Sequence, residues 1–206
     1  MNMILFPVVL SIPEAGNNLW GKERVAFLKR AAREALRLSA ERSGVILGEL
    51  KKDRNGFPLP FDGNYWSLSH KPRCVAAVIS REKIGIDVEE IRPRPISLFG
   101  YLATEEEWKL SKERSLETFF RYWTAKEALL KSVGKGIGEL KKCRIISIPK
   151  KDHLALKYQD RLFSVEQLTY QDHIISVVKD NNTIEWIVKT KHSCRMATQR
   201  TLKHSK

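Results

Sequence analysis

The chain has 206 residues, 42% of them hydrophobic, with eight Phe and five Trp. That fits a globular protein of one domain or two small ones with a real core. Its formal net charge of +13 calls for an anionic partner, and composition leaves open nucleic acid, membrane surface, phosphorylated small molecule or acidic protein.

Cys74, Cys143 and Cys194 are an odd number with no CxxC spacing. This argues against zinc or a disulfide framework and fits a reducing cytoplasm. The opening apolar run holds Pro7 and Pro13, has no basic segment before it and is too short to span a bilayer. No later run is long and apolar enough either, so no membrane association is expected. Ile4–Leu10 reads as a strand.

Lys22 to Glu49 reads as a helix. Val25, Leu28, Ala32, Ala35, Leu36 and Leu38 form its apolar stripe, and Gly44 and Gly48 weaken its later part. Residues 51–64 are a connection rich in turn signals, with Asn55-Gly56, Pro58, Pro60 and Asp62-Gly63. Tyr65–His70 and Arg73–Ser80 read as strands of an antiparallel hairpin.

In Lys83–Glu89, Ile84, Ile86 and Val88 alternate with Gly85, Asp87 and Glu89. Period-two geometry puts Asp87 and Glu89 on one face, about 7 Å apart. An extended basic segment, Ile91-Arg92-Pro93-Arg94-Pro95, then leaves the sheet. Thr104 and Glu107 have capping-box spacing at the start of a helix expected to reach about Lys112.

Leu116 to Ile137 reads as an amphipathic helix that stops at Gly134. Trp123, Glu127 and Lys131 recur every four residues and share a face. Taken alone, Glu127 and Lys131 are an exposed ion pair. From Cys143 onward the pattern is short strands: 144–148, 154–158, 162–168, 173–179 and 183–188. Residues 189–206 carry six Lys or Arg and no acid, with no apolar periodicity. They are expected to be a flexible basic tail.

Asp87, Glu89 and Glu127 offer three hard oxygen ligands suited to Mg²⁺. Paired acids on a strand are costly without a cation. Ser69, His70, Lys71 and Arg73 put a hydroxyl, an imidazole and two cations at a strand end, which suits a phosphate.

The segments GIDVE at 85–89 and WTAKEALLK at 123–131, with WSLSH at 66–70 before them, carry a resemblance to the 4′-phosphopantetheinyl transferases, specifically the monomeric Sfp-type group. It covers about residues 50–180. It implies an α+β fold of two pseudo-related lobes, each a small antiparallel sheet with a long helix: residues 1–92 and 93–190, with 191–206 as the tail. The acidic strand would close the first lobe, and Mg²⁺ would bridge to the helix of the second.

The implied reaction moves the 4′-phosphopantetheine arm of coenzyme A onto a serine of an acidic apo carrier protein. Adenosine 3′,5′-bisphosphate is the other product. Carried over by residue, Asp87, Glu89 and Glu127 ligate Mg²⁺, Lys131 contacts the phosphates and assists departure, and Ser69 and His70 hold the 3′-phosphate end. Glu107 activates the carrier serine, with Glu106 as competitor. Trp123 is expected to pack the helix against the acidic strand.

The family's Gly-Lys-Pro is Gly56-Phe57-Pro58 here, so Lys71 or Arg54 would supply the missing cation. Arg24, Lys29 and Arg30 are candidates for holding the 3′-phosphate. A basic nucleic-acid-binding protein, or an inactive relative binding coenzyme A or carrier, is the rival reading. No nucleic-acid motif is visible, and aromatics are not interleaved with the basic stretches.

Overall fold

A computed structural model describes residues 2–13 and 19–190. The basic tail expected at 191–206 lies outside them. The first strands are β1 (Ile4–Leu5) and β2 (Val8–Ser11), so the single strand read over 4–10 is interrupted at Phe6-Pro7. Helix α1 spans Gly21–Arg42 and buries Leu28, Ala31, Ala32, Ala35, Leu36 and Ala40. Its outer side carries Arg37 between Glu34 and Glu41. It ends seven residues before the expected Glu49, because Gly44 adopts φ +66 and turns the chain.

β3 (Tyr65–Lys71) and β4 (Cys74–Ser80) form the expected hairpin, in register from Tyr65↔Ser80 to Lys71↔Cys74. β5 (Ile86–Glu90) carries the acids. Then come α2 (Ser97–Leu102), a single-turn α3 (Glu105–Trp108) and α4 (Leu116–Ser132). The capping box at Thr104 and Glu107 is formed, but α3 stops at Trp108 rather than near Lys112. After a 3₁₀ turn at Ile137–Lys142 come β6 (Arg144–Lys150), β7 (His153–Tyr158), β8 (Arg161–Tyr170) and β9 (His173–Val178). β10 (Thr183–Ile184) and β11 (Ile187–Thr190) complete the described elements.

The class is α+β, as expected. One sheet has the order β11-β2-β4-β3, another β5-β9-β8-β7-β6, and β1 pairs with β10. The antiparallel expectation needs one correction: β11 runs parallel to β2, and β10 parallel to β1. The acidic strand also sits differently from the expectation. It hydrogen-bonds to β9 in the second sheet, pairing Asp87 with Ser176 and Glu89 with Ile174. Strand pairing therefore crosses the division drawn at 92/93 in both directions.

Three apolar clusters follow from strand alternation. Val8, Leu10, Val75, Ala77 and Ile79 face α1. Val9, Ala76 and Val78 face the other way and meet Ile86, Val88, Ile175 and Val177 between the sheets. The remaining face of the second sheet, with Ile174 and Val178, packs on Phe119, Phe120, Ala125, Ala128 and Leu129 of α4. Because Ile86 and Val88 point between the sheets, Asp87 and Glu89 must point toward α4.

Candidate active site between the acidic strand and the long helix

Gly85 sets the distance between β5 and α4. A Cβ there would lie 1.9 Å from the Ala128 carbonyl oxygen and 2.7 Å from the Ser132 nitrogen. Only hydrogen fits, so the helix backbone lies directly on the strand end. Trp123 packs in the cluster of α4 itself. It stacks on Phe119 with ring centroids 5.8 Å apart and joins the cluster beneath α4. The expected structural role stands, with a different partner.

Asp87 and Glu89 are 5% and 7% exposed. Asp87 Oδ1 accepts hydrogen bonds from Ser69 Oγ and Lys131 Nζ, both at 2.8 Å. Lys131 Nζ also donates to the Ile86 carbonyl at 3.1 Å. Glu89 Oε1 pairs with Lys71 Nζ at 2.7 Å. Each carboxylate keeps its second oxygen, Asp87 Oδ2 and Glu89 Oε2, buried without a hydrogen-bond partner. An orphaned buried carboxylate oxygen is expensive, and two of them on one strand face are the hard donor set a divalent cation takes. Among the described residues no three His, Cys, Asp or Glu side chains already converge at metal-binding spacing; Lys71 and Lys131 each neutralise one acid instead.

Glu127 lies in the same field. Burial, then the charge of Asp87, pushes its carboxyl up to about 7, with Lys131 pulling the other way. Burial also raises Glu89, opposed by Lys71 and reinforced by Asp87. The spacing of Glu127 and Lys131 is thus used inward: one adds an acid to the cleft, the other a cation.

On the neighbouring sheet, His70 is held below its ordinary pKa by burial and by Lys131, Lys71, Lys29 and Lys52. It lines a groove of about 220 Å³ with Lys29, Arg33, Lys52, Leu50, Trp66 and Leu68. Such a set of cations around a neutral imidazole is suited to an anion. A second groove of about 180 Å³ shares Trp66 and brings Phe57, Pro58 and Tyr65 beside Lys131. Lys29 is one of the candidates read from the sequence. Arg33, one turn further along α1, was legible from the i, i+4 spacing, whereas Lys52 sits in an aperiodic connection. Arg24 and Arg30 do not line this groove.

Glu107 lies where α3, α4 and β6 meet. It is 2% exposed, and its Oε1 accepts from Lys126 Nζ at 2.7 Å and from the Ile145 amide at 2.8 Å. Its Oε2 accepts from the Thr104 amide at 2.9 Å. A carboxylate so enclosed is poorly suited to receive a proton from an incoming hydroxyl. Glu106 is exposed on the same short turn, and hydrogen bonds within the capping turn hold its carboxyl below the usual range.

A family model described as the 4′-phosphopantetheinyl transferase superfamily matches residues 83–186, half of the chain. The chain belongs to that superfamily. The match takes in Asp87, Glu89, Glu127 and Lys131 and begins after the Ser69–His70 strand. A 4′-phosphopantetheinyl transferase of Bacillus pumilus, psf-1, is 30% identical over 56% of this chain and 60% of its own. HetI of a Nostoc species, of the same named activity, is 36% identical over 52% and 51%. Sfp of Bacillus subtilis is 26% identical over 50% and 43%. The chain thus spans about half the length of the curated relatives it matches. No helix among the described residues is long and apolar enough to cross a membrane.

Proposed function

We propose that this protein transfers the 4′-phosphopantetheine arm of coenzyme A to a serine hydroxyl of an apo carrier protein. The serine oxygen forms a bond to the phosphorus that bears the pantetheine. The diphosphate P–O bond breaks, and adenosine 3′,5′-bisphosphate leaves. The observation that carries this reading is the pair of partnerless buried oxygens on Asp87 and Glu89, facing the helix that bears Glu127 and Lys131.

Asp87, Glu89 and Glu127 would hold Mg²⁺, which supplies charge neutralisation at the diphosphate when bound. Lys131 already spans from Asp87 to the strand carbonyl. It is suited to exchange that contact for a phosphate oxygen and to offset charge on the departing bisphosphate. Ser69 orients Asp87 through its hydroxyl. His70, Lys29, Arg33 and Lys52 receive the 3′-phosphate in their groove, and Lys52 takes the place of the cation missing at Phe57.

We assign the proton of the attacking serine to Glu127 rather than Glu107. Glu127 is partly exposed whereas Asp87 and Glu89 are buried, so one of its oxygens can face the cation while the other receives the proton. The natural setting of this reading is a monomer in the cytoplasm, acting on acidic carriers that match the +13 charge.

The test is incubation with coenzyme A, Mg²⁺ and a panel of apo carrier proteins. Mass spectrometry should find the added arm on at least one carrier. No transfer to any carrier, with tight nucleic-acid binding instead, overturns the proposal.

A further inference from the structure

The buried pair Lys126–Glu107 has no part in the chemistry above, yet it is the most enclosed ion pair among those described. The side chains are 1% and 3% exposed, with Nζ to Oε1 at 2.7 Å. Lys126 Nζ also donates to the Leu102 carbonyl at 2.7 Å. Glu107 in turn accepts the Thr104 and Ile145 amides, at the start of α3 and of β6. The Tyr122 hydroxyl, one turn earlier on α4, donates to the Glu107 carbonyl at 2.9 Å. Four elements, α2, α3, α4 and β6, therefore meet at these two side chains.

Removing two charges from water is costly, and a well-packed apolar pair often serves stability as well or better. What an apolar pair lacks is direction. A lysine reaches a given carboxylate and carbonyl at one rotation of its helix, while aliphatic packing tolerates slip. Lys126 immediately precedes Glu127, about 100° around the helix. Fixing one therefore fixes where the other points. A slip of about 20° displaces an atom roughly 5 Å from the helix axis by nearly 2 Å. That is enough to break the 2.8 Å contact of Lys131 with Asp87, and misplacement by about 1 Å can cost on the order of a hundredfold in rate.

We propose that Lys126 and Glu107 are positioning residues whose ion pair sets the rotation of α4 and so aims Glu127 and Lys131 at the acidic strand. This rests on reading that cleft as the metal and phosphate site. The test variant is Lys126→Met combined with Glu107→Gln, which leaves no unpaired buried charge and keeps an acceptor for one backbone amide. Ile79→Val, in the core of the other sheet, is the control for mild destabilisation.

Three measurements are made after circular dichroism has established folding. They are Mn²⁺ affinity by electron paramagnetic resonance, kcat and KM for coenzyme A, and the Asp87–Lys131 coupling by a double-mutant cycle in urea. The double variant should bind Mn²⁺ at least tenfold more weakly and lose kcat far more than KM, since the His70 groove lies on the other sheet. Its Asp87–Lys131 coupling should vanish. The control should keep all three. A folded double variant with wild-type coupling overturns the proposal, as does one with wild-type Mn²⁺ affinity. If the double variant does not fold, Lys126→Gln with Glu107→Gln takes its place under the same outcomes. If the wild-type protein binds no Mn²⁺, the metal reading fails, and the coupling cycle still decides the positioning claim.

Discussion

Gly85→Ala should separate the two halves of the site without touching any charged group. The added Cβ would sit 1.9 Å from the Ala128 carbonyl oxygen. An ordinary carbon–oxygen contact is about 3.3 Å, so strand and helix must move apart by about 1.4 Å. Both obstructing atoms belong to the α4 backbone, and no side chain can turn aside. Overpacking of this kind costs about 1–3 kcal/mol. The same shift lengthens the contact of Lys131 with Asp87 beyond hydrogen-bonding range from its present 2.8 Å. Activity should then fall on the order of a hundredfold, in kcat more than in KM. Urea denaturation and steady-state transfer kinetics measure the two effects. A Gly85→Ala protein with wild-type stability and kcat would refute the claim that helix-to-strand distance governs the site.

Glu127 should dominate the neutral-pH stability profile of the metal-free protein. Its folded pKa is raised from 4.5 to about 7, so its contribution is full below about 4.5 and is lost as pH rises through about 7. That difference is worth at most about 3 kcal/mol. Thermal melts from pH 5 to 8 should fall more steeply for the wild type than for Glu127→Gln, and equal slopes would count against the assignment. Asp87→Asn should abolish stabilisation by added Mg²⁺ in thermal melts; an unchanged Mg²⁺-dependent shift would remove Asp87 from the metal site. Arg33→Glu or Lys52→Glu should raise KM for coenzyme A about tenfold while leaving 3′-dephospho-coenzyme A little affected. Equal losses on both substrates would put the 3′-phosphate elsewhere. Arg73 bridges Glu90 and Asp172, and its side chain is 46% exposed, so Arg73→Ala should cost less than about 1 kcal/mol by urea denaturation.

The legible parts of this chain are those with short-range causes. The β3–β4 hairpin, the capping box at Thr104 and Glu107, and the shared face of Glu127 and Lys131 follow from spacings of two to four residues, whereas the inward direction of that face needed the acids at 87 and 89. The partner of the acidic strand was hidden, because nothing near Asp87 signals a residue as remote as Ser176. The surroundings of Glu107 were hidden for a related reason. Its capping role is local, but its enclosure depends on Lys126 lying fully buried, and lysine is almost never buried without a partner. Trp123 has the size of a spacer, yet a residue with no side chain, Gly85, does the spacing. The cationic groove drew Lys29 and Arg33 from helix periodicity but Lys52 from a connection whose path only the folded chain defines.

The central claim is that β5 and α4 together form a metal-assisted phosphoryl-transfer cleft. Intact-mass spectrometry of an apo carrier protein tests it most directly, after incubation with coenzyme A and either the wild type or Glu127→Gln, with and without Mg²⁺. The 4′-phosphopantetheine adduct should form only with wild type and Mg²⁺ together. Adduct formed at the wild-type rate by Glu127→Gln, or without a divalent cation, would contradict that claim.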